Sequence, residues 1–318
     1  MLYINSIYFD FLPIIWYNVC MKYLSVNEIA KLWNMSERSV RNYCAKGQIP
    51  DAFMTGKTWN IPENAIKPDR KNKHIDKPKT LLDILKNEMN NKIKGGIYHK
   101  IQIDLTYNSN HIEGCKLTHD QTRYIYETNS IGIDENTINV DDVIETVNHF
   151  RCIDLVIEKA NSELSESFIK KLHFMLKTVT KSSSNERVAI GDYKKYPNIV
   201  GNMETTKPED VTKEMQNLLK RYNTSKTKDL TEILDFHYHF ESIHPFQDGN
   251  GRVGRLIMFK ECLKNNIVPF IIDDEIKLFY YRGLKEWKSE KGYLIDTCLS
   301  AQDKFKAYLD YFKIDYQR

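Results

Sequence analysis

The fold is decided by His244-Pro245-Phe246-Gln247-Asp248-Gly249-Asn250-Gly251-Arg252-Val253-Gly254-Arg255, a run of twelve residues. It follows Leu230–Ser242, which has the apolar periodicity of an amphipathic helix, and a second apolar stripe begins after it at Leu256. The run is therefore predicted to be a loop that leads into the N-terminus of a helix. Free backbone N–H groups and the helix dipole favour an anion at that position.

The residue types of this loop suit a site that binds a phosphate group next to a proton acceptor. His244, with an ordinary pKa of about 6.5, can take a proton from a hydroxyl at neutral pH. Asp248 is a carboxylate of the kind that Mg²⁺ uses together with phosphate oxygens. Tight glycine turns, a donating amide and two planar cations suit the phosphates themselves: Gly249, Asn250, Gly251, Arg252 and Arg255. A lone His-Pro or Gly-Asn-Gly is usually only a packed or turning element, so it is the concentration of seven apt residues that indicates a site.

Length and composition indicate a protein of two domains with a real core. The chain has 318 residues, of which 41% are hydrophobic and 28% charged. A net charge of +3 is too small for wholesale nucleic-acid binding, so any basic patch must be local. The six cysteines are dispersed without a CxxC pair, which favours a cytoplasmic protein without a disulfide framework or zinc site. No membrane span is expected.

The N-terminal part reads as an extension, a small domain and a linker. Residues 1–20 are apolar but contain Asp10 and Pro13 and lack a basic start, so we expect an extension ahead of a second start at Met21 rather than a signal peptide. Residues 21–68 predict two short capped helices and a hairpin, as in winged helix-turn-helix domains. Residues 69–80 are charged and predict a linker.

The small domain resembles the MerR/excisionase class, which implies DNA binding. The candidate contacts are residue types that bond phosphates and base edges, three on the second helix and one on the wing: Arg38, Arg41, Asn42 and Lys57. A protein-docking domain that makes no DNA contact is the alternative.

The remainder is predicted to be mainly helical. Residues 81–163 are expected to form the first helices and residues 300–318 a C-terminal helix. Apolar residues recur at helical spacing in eight segments: Leu81–Ile93, Asp141–Glu158, Ser165–Val179, Pro208–Tyr222, Leu230–Ser242, Arg252–Asn265, Ile276–Lys288 and Tyr293–Tyr311. Residues 192–202 break this rule and predict a short β-hairpin.

The twelve-residue loop is similar to that of the Fic (Fido) family. It fits the pattern His-x-Phe-x-Asp/Glu-Gly-Asn-Gly-Arg-x-x-Arg at every specified position, and the similarity extends over Leu164–Leu299. Fic enzymes mostly transfer AMP from Mg·ATP to a Tyr, Ser or Thr hydroxyl of a target protein. The resemblance therefore implies an all-helical domain in which His244 is the general base and Asp248 holds Mg²⁺, for which Mn²⁺ could substitute. Asn250, Gly251 and Arg252 would contact the α- and β-phosphates, and Arg255 would reach the γ-phosphate.

The resemblance also implies a flap that aligns the target peptide by strand addition, formed by Tyr196, Asn198, Ile199, Val200 and Gly201. One departure is Lys194, where many relatives have Arg. Upstream, Ser109-Asn110-His111-Ile112-Glu113-Gly114 is similar to the family's inhibitory motif. Ser109 and Glu113 are spaced for one helix face and Gly114 for the helix end. By this analogy Glu113 pairs with Arg255 and makes ATP bind unproductively.

Several alternatives stay open. Some family members also remove AMP, with the inhibitory glutamate positioning water, so Glu113 could serve that reaction. A death-on-curing phosphotransferase is disfavoured because that subfamily has Lys at the position of Gly251. The protein could instead be a DNA-binding regulator whose Fic domain senses ATP, and a homodimer is left open. His237 and His239 point apart on a helix and so predict no metal site, and Glu232 and Asp235 are interpreted as a solvated face.

Overall fold

The computed structural model describes residues 22–68, 80–132, 137–200 and 203–316. The chain divides into two compact units, Met1–Ile75 and Asp76–Arg318. The extension at 1–20 and all but the last residue of the linker lie outside the described residues. No helix in the described ranges is long and apolar enough to cross a bilayer.

The first unit contains two helices and a three-stranded antiparallel sheet. In chain order its elements are β1 Tyr23–Ser25, α1 Val26–Leu32, α2 Glu37–Ala45, β2 Phe53–Thr55 and β3 Thr58–Pro62, with strand order β1-β3-β2. Ser25 forms a capping box with Glu28, and Ser36 caps α2. Both helices and the β2–β3 hairpin lie where the sequence predicts them. Strand β1 was not predicted, because three residues are too few to show an alternating pattern.

The second unit is helical. Its helices are α3 Leu81–Asn90, α4 Ile97–Ile112, α5 His119–Thr128, α6 Val140–Glu158, α7 Glu166–Lys177, α8 Pro208–Tyr222, α9 Leu230–Ile243, α10 Asn250–Lys264, α11 Lys277–Glu286 and α12 Gly292–Tyr311. A 3₁₀ turn, Lys181–Ser184, follows α7, and a hairpin of β4 Ile199–Val200 and β5 Met203–Glu204 precedes α8. The prediction of a mainly α protein with a short hairpin is confirmed.

Helix α10 is the centre of this unit. Thirteen of its fifteen residues are buried, and it packs against α6, α7 and α9. Since α10 is buried on every side, the loop that precedes it is held from several directions. The first turn of α10 carries the second half of the twelve-residue run into this buried position and so fixes its side chains.

Two helices, one boundary and the hairpin differ from the prediction. The strands of the hairpin lie at Ile199–Val200 and Met203–Glu204, so the second strand falls outside residues 192–202. The inner face of α4 buries polar residues, among them Gln102, Thr106 and Asn110, between apolar residues such as Ile101 and Leu105, so its apolar stripe is interrupted. Helix α5 was missed although its capping box, Thr118 with Gln121, is readable in the sequence. The boundary that we placed between residues 299 and 300 falls inside α12, because this helix is continuous from Gly292.

Candidate active site

The loop between α9 and α10 is held together by its own residues. Helix α9 ends at His244, which adopts a left-handed conformation with φ 51°, and Gly249 precedes α10 with φ 81°. The side chain of Asn250 accepts a hydrogen bond from Phe246 N at 2.8 Å and donates one to Phe246 O at 2.8 Å. Asn250, which was expected to donate to a phosphate, is therefore placed inside the loop with its amide already bonded.

A histidine that was not predicted supports the loop from α7. His173 is fully buried, and its ring stacks on Phe246 with centroids 3.9 Å apart. Its Nδ1 accepts from Gly191 N at 3.0 Å, and its Nε2 donates to Asp248 O at 3.1 Å. Burial lowers the pKa of His173 to about 4, so the ring is neutral in this arrangement. The loop thus rests on a fixed imidazole rather than on flexible contacts.

His244 lies at the mouth of the site as a partly shielded, neutral imidazole. Burial, together with the Lys194 ammonium, lowers the pKa of His244 to about 4. Its Nδ1 is buried without a hydrogen-bond partner and lies 3.9 Å from Oε2 of Glu241. Burial raises the pKa of Glu241 to about 8. At neutral pH the imidazole is therefore free to accept a proton, as a general base requires.

Asp248 belongs to a group of charges that reaches into the helices behind it. Its Oδ2 accepts from Lys177 Nζ at 2.5 Å, and its Oδ1 lies 3.7 Å from Arg252 Nη2. Glu145 on α6 pairs with both Lys177 and Arg252. Burial opposes ionisation of Asp248, but the Lys177 and Arg252 cations lower its pKa to about 2. An ionised carboxylate that is 52% exposed fits a Mg²⁺ ligand completed by phosphate oxygens.

Arg255 is held by the residues of the upstream motif. Its Nη2 donates to Glu113 Oε1 at 2.7 Å and to Ser109 O at 2.9 Å, and its Nε donates to Ser109 Oγ at 3.0 Å. Glu113 closes α4 and Gly114 follows with φ 96°, so the helix ends where the motif predicts. A side chain at Gly251 would overlap the Glu113 carboxylate, which therefore lies against the loop itself. Burial would raise the pKa of Glu113, but Arg255 lowers it, so the pair is ionic.

The segment from Tyr196 to the end of β4 presents exposed side chains beside this loop. Tyr196, Ile199 and Val200 are 49%, 67% and 41% exposed. Asn198 instead faces inward: it donates to Phe246 O at 3.1 Å and accepts from Lys194 Nζ at 2.7 Å. Lys194 is buried, which lowers its pKa to about 8. The hairpin is thus tied to the loop. Gly201 lies outside the described residues.

The remaining candidates lie apart from the loop or serve packing. His237 is buried against Tyr280 OH at 2.6 Å, and within the described ranges no group of side chains could hold a metal through several His, Cys, Asp or Glu ligands. Asp235 is partly solvated: its side chain is 31% exposed, and it accepts from Trp287 Nε1 at 3.0 Å. The four candidate DNA contacts are exposed in the first unit: Arg38, Arg41, Asn42 and Lys57.

Comparisons with known proteins agree with this placement. Residues 163–262 match the model of the Fic/DOC family, a segment that runs from the start of α7 through the loop and most of α10. Over these residues the chain is similar to the Fic/DOC family. The match begins one residue before Leu164, where the similarity predicted from the sequence starts, and ends well before residue 299, so α11 and α12 lie outside it.

The chain is also similar to curated proteins and to solved structures. The chain is 28% identical over 190 residues to protein adenylyltransferase Fic of Nematostella vectensis, covering 57% of this chain and 42% of that protein. It therefore spans less than half the length of this relative. A Fic domain containing signaling protein from Bacteroides thetaiotaomicron superposes with a TM-score of 0.58 at 20% identity, over 74% of this chain and 98% of that one. Fic-1 from C. elegans gives 0.57 at 20% identity, over 72% and 69%. These two structures share the fold.

Proposed function

We propose that this protein is an autoinhibited protein adenylyltransferase. It transfers AMP from Mg·ATP to a Tyr, Ser or Thr hydroxyl of a target protein or of the chain itself. The observation that carries the proposal is the ion pair between Arg255 and Glu113 beside a neutral His244. The curated relatives named as protein adenylyltransferases support the reaction class.

The residues of the site suit each part of this reaction. The acceptor oxygen attacks the α-phosphorus, His244 takes the hydroxyl proton, and the bond to pyrophosphate breaks. Bound Mg²⁺ would be held by Asp248 and would neutralise charge on the phosphates. The backbone of Gly249 and Gly251 at the start of α10 and the Arg252 fork suit the phosphate oxygens. The exposed β4 strand suits an acceptor peptide added as a further strand.

Glu113 acts as the brake in this proposal. The γ-phosphate and Glu113 compete for Arg255, so ATP binds in a pose that leaves the α-phosphorus out of line with the acceptor. A bias of about 1.4 kcal/mol changes a population ratio tenfold. Arg255 also donates hydrogen bonds to Ser109, and its guanidinium is only 4% exposed, so the pair is more shielded than an ordinary surface pair.

Replacing Glu113 tests the proposal. Glu113→Gly should raise AMP incorporation from labelled ATP, onto the chain or onto a protein in lysate, by about tenfold or more, because Arg255 becomes free for the γ-phosphate. Glu158→Gly, which removes an exposed carboxylate near the end of α6, is the matched control and should leave labelling unchanged. Labelling by Glu113→Gly no greater than by Glu113→Gly/His244→Ala would refute the transferase.

If the unaltered chain releases AMP from labelled protein and Glu113→Gly does not, Glu113 also serves removal of AMP.

A second function is favoured by the first unit. We propose that α2 and the β2–β3 turn bind DNA through Arg38, Arg41, Asn42 and Lys57. All four side chains are exposed, and α2 is the second helix of a capped pair followed by a wing-like hairpin. The proposal is tested by the effect of Arg38→Ala and Glu37→Gln on binding to labelled duplex DNA.

A further inference from the structure

Four charged side chains, two from the twelve-residue run and two from the helices that support it, form a closed ring in which positive and negative charges alternate. Arg252 pairs with Glu145, Glu145 pairs with Lys177, and Lys177 donates to Asp248 at 2.5 Å. Arg252 closes the ring on Asp248 at 3.7 Å. Glu145 and Lys177 come from α6 and α7, outside the loop whose residues they contact. The ring is electrically neutral as it stands.

Three side chains of the ring are buried and therefore fixed, and the fourth is exposed to solvent. The side chains of Lys177, Arg252 and Glu145 are 3%, 6% and 13% exposed, whereas that of Asp248 is 52% exposed. A buried ammonium needs carboxylate partners to offset its desolvation, and Lys177 has two. Because Asp248 is the one member open to solvent, a divalent cation that arrives at the ring must meet Asp248 with Lys177 already on its Oδ2.

We propose that Lys177 prevents Asp248 from holding a divalent cation by itself, so that the cation enters only together with the polyphosphate. This rests on the proposed nucleotide-dependent function. In the empty site an arriving cation is repelled by the ammonium and competes with it for one carboxylate oxygen. When the triphosphate is present, its negative charges and oxygen ligands supply the attraction that the neutral ring lacks. Without Lys177 the ring carries a net charge of −1, which should bind a divalent cation directly.

The test measures metal binding in the absence of nucleotide. Mn²⁺ is titrated into the full chain and the free ion is followed by its EPR signal. Lys177→Met should bind Mn²⁺ at least tenfold more tightly than the unaltered chain, because a unit cation in contact with the ligand is removed. Lys171→Met, an exposed lysine of the same helix, is the matched control and should behave like the unaltered chain. Adding Asp248→Ala to Lys177→Met should abolish the gained binding.

A second variant is needed in case Lys177→Met does not fold, since this substitution leaves Glu145 with one partner. Glu145→Gln/Lys177→Met keeps the ring neutral while it still frees Oδ2 of Asp248. Its far-UV spectrum should match the unaltered chain, and its Mn²⁺ affinity should lie between those of the unaltered chain and Lys177→Met. Equal Mn²⁺ affinity in the unaltered chain and in both variants would overturn the proposal. Because no transfer is measured, a failed AMP-transfer assay and a failed metal titration remain separate results.

Discussion

Each arginine of the twelve-residue run has a carboxylate partner from another helix, but the two partners differ in freedom. Glu145 lies within the nineteen-residue helix α6 and is 13% exposed, so it is fixed by the packing around it. Glu113 closes α4 and is 31% exposed, and the chain turns at Gly114 directly after it. Arg255 can therefore lose its partner without disturbing a helix interior, whereas Arg252 cannot. The Arg255–Glu113 pair, which can separate, is therefore the one suited to inhibit the reaction.

The protonation of His244 gives a prediction for the pH profile. Its pKa of about 4 means that the base stays neutral well below the usual range of histidine. In Glu113→Gly, kcat/KM for AMP transfer should therefore stay flat between pH 7.5 and 5.5, since this ratio reports groups of the free enzyme. The measurement is the initial rate at low ATP across this range. Samples returned to pH 7.5 should regain full activity, as a control for unfolding. A decline centred near pH 6.5 would show that His244 is not shielded as the structure has it.

The sequence revealed those site residues that are neighbours along the chain. The run from His244 to Arg255 is readable because seven apt residues lie within twelve positions, and Ser109 and Glu113 have the spacing of one helix face. His173, Lys177 and Glu145 could not be found in this way. They lie on α6 and α7, 71 or more residues from their partners in the twelve-residue run, and only the packing of α6, α7 and α10 brings them together.

Among the elements, burial decides which helices the sequence could predict. Helix α8, buried on one face, was predicted to the residue at Pro208–Tyr222. Helix α10 is buried all round, so its pattern predicted a start at Arg252, two residues after the observed one. Helix α4 buries polar as well as apolar residues and was anticipated only at its last turn. Buried polar residues weaken the apolar periodicity on which prediction depends.

Helix α2 is the element on which DNA binding depends. Arg38 is exposed, and within the described ranges no acidic side chain pairs with it, whereas Arg41 pairs with Glu37 at 2.8 Å. Arg38→Ala should weaken DNA binding and reduce the slope of log affinity against log salt by about 1. Glu37→Gln should strengthen binding, because it frees Arg41 and removes a negative charge. The measurement is fluorescence anisotropy of labelled duplex DNA at several salt concentrations.

The control for this helix is Lys213→Ala, which removes an exposed lysine from α8 in the other unit. It should leave affinity and salt slope unchanged. If Arg38→Ala and Glu37→Gln both behave like this control, α2 does not contact DNA, and the first unit is better explained as a protein-docking domain.

At the scale of the whole molecule, the helical unit Asp76–Arg318 contains four buried histidines whose side chains are neutral in the folded state. Burial lowers the pKa of His149 and His237 to about 3 and of His173 and His244 to about 4. Each binds a proton in the unfolded chain below about pH 6.5 but not in the folded one. Glu241, with its pKa raised to about 8, acts in the opposite direction, because it keeps its proton when folded and loses it when unfolded above about pH 4.5.

The unfolded unit therefore binds more protons than the folded one between about pH 4.5 and 6.5, so its stability should fall as pH falls through this window. The four histidines outweigh Glu241, and the free energy of unfolding should decrease by roughly 3 kcal/mol from pH 6.5 to 5.5.

Urea unfolding can be followed through Trp287, which is fully buried in this unit, after Trp16, Trp33 and Trp59 are replaced by Phe. In this background His149→Gln should lessen the decrease by about 1 kcal/mol, since one of the four protons is lost. Unfolding free energies that are equal at the two pH values, or higher at pH 5.5, would mean that these imidazoles are accessible to protons in the folded protein and that the site around His244 and His173 is open to water.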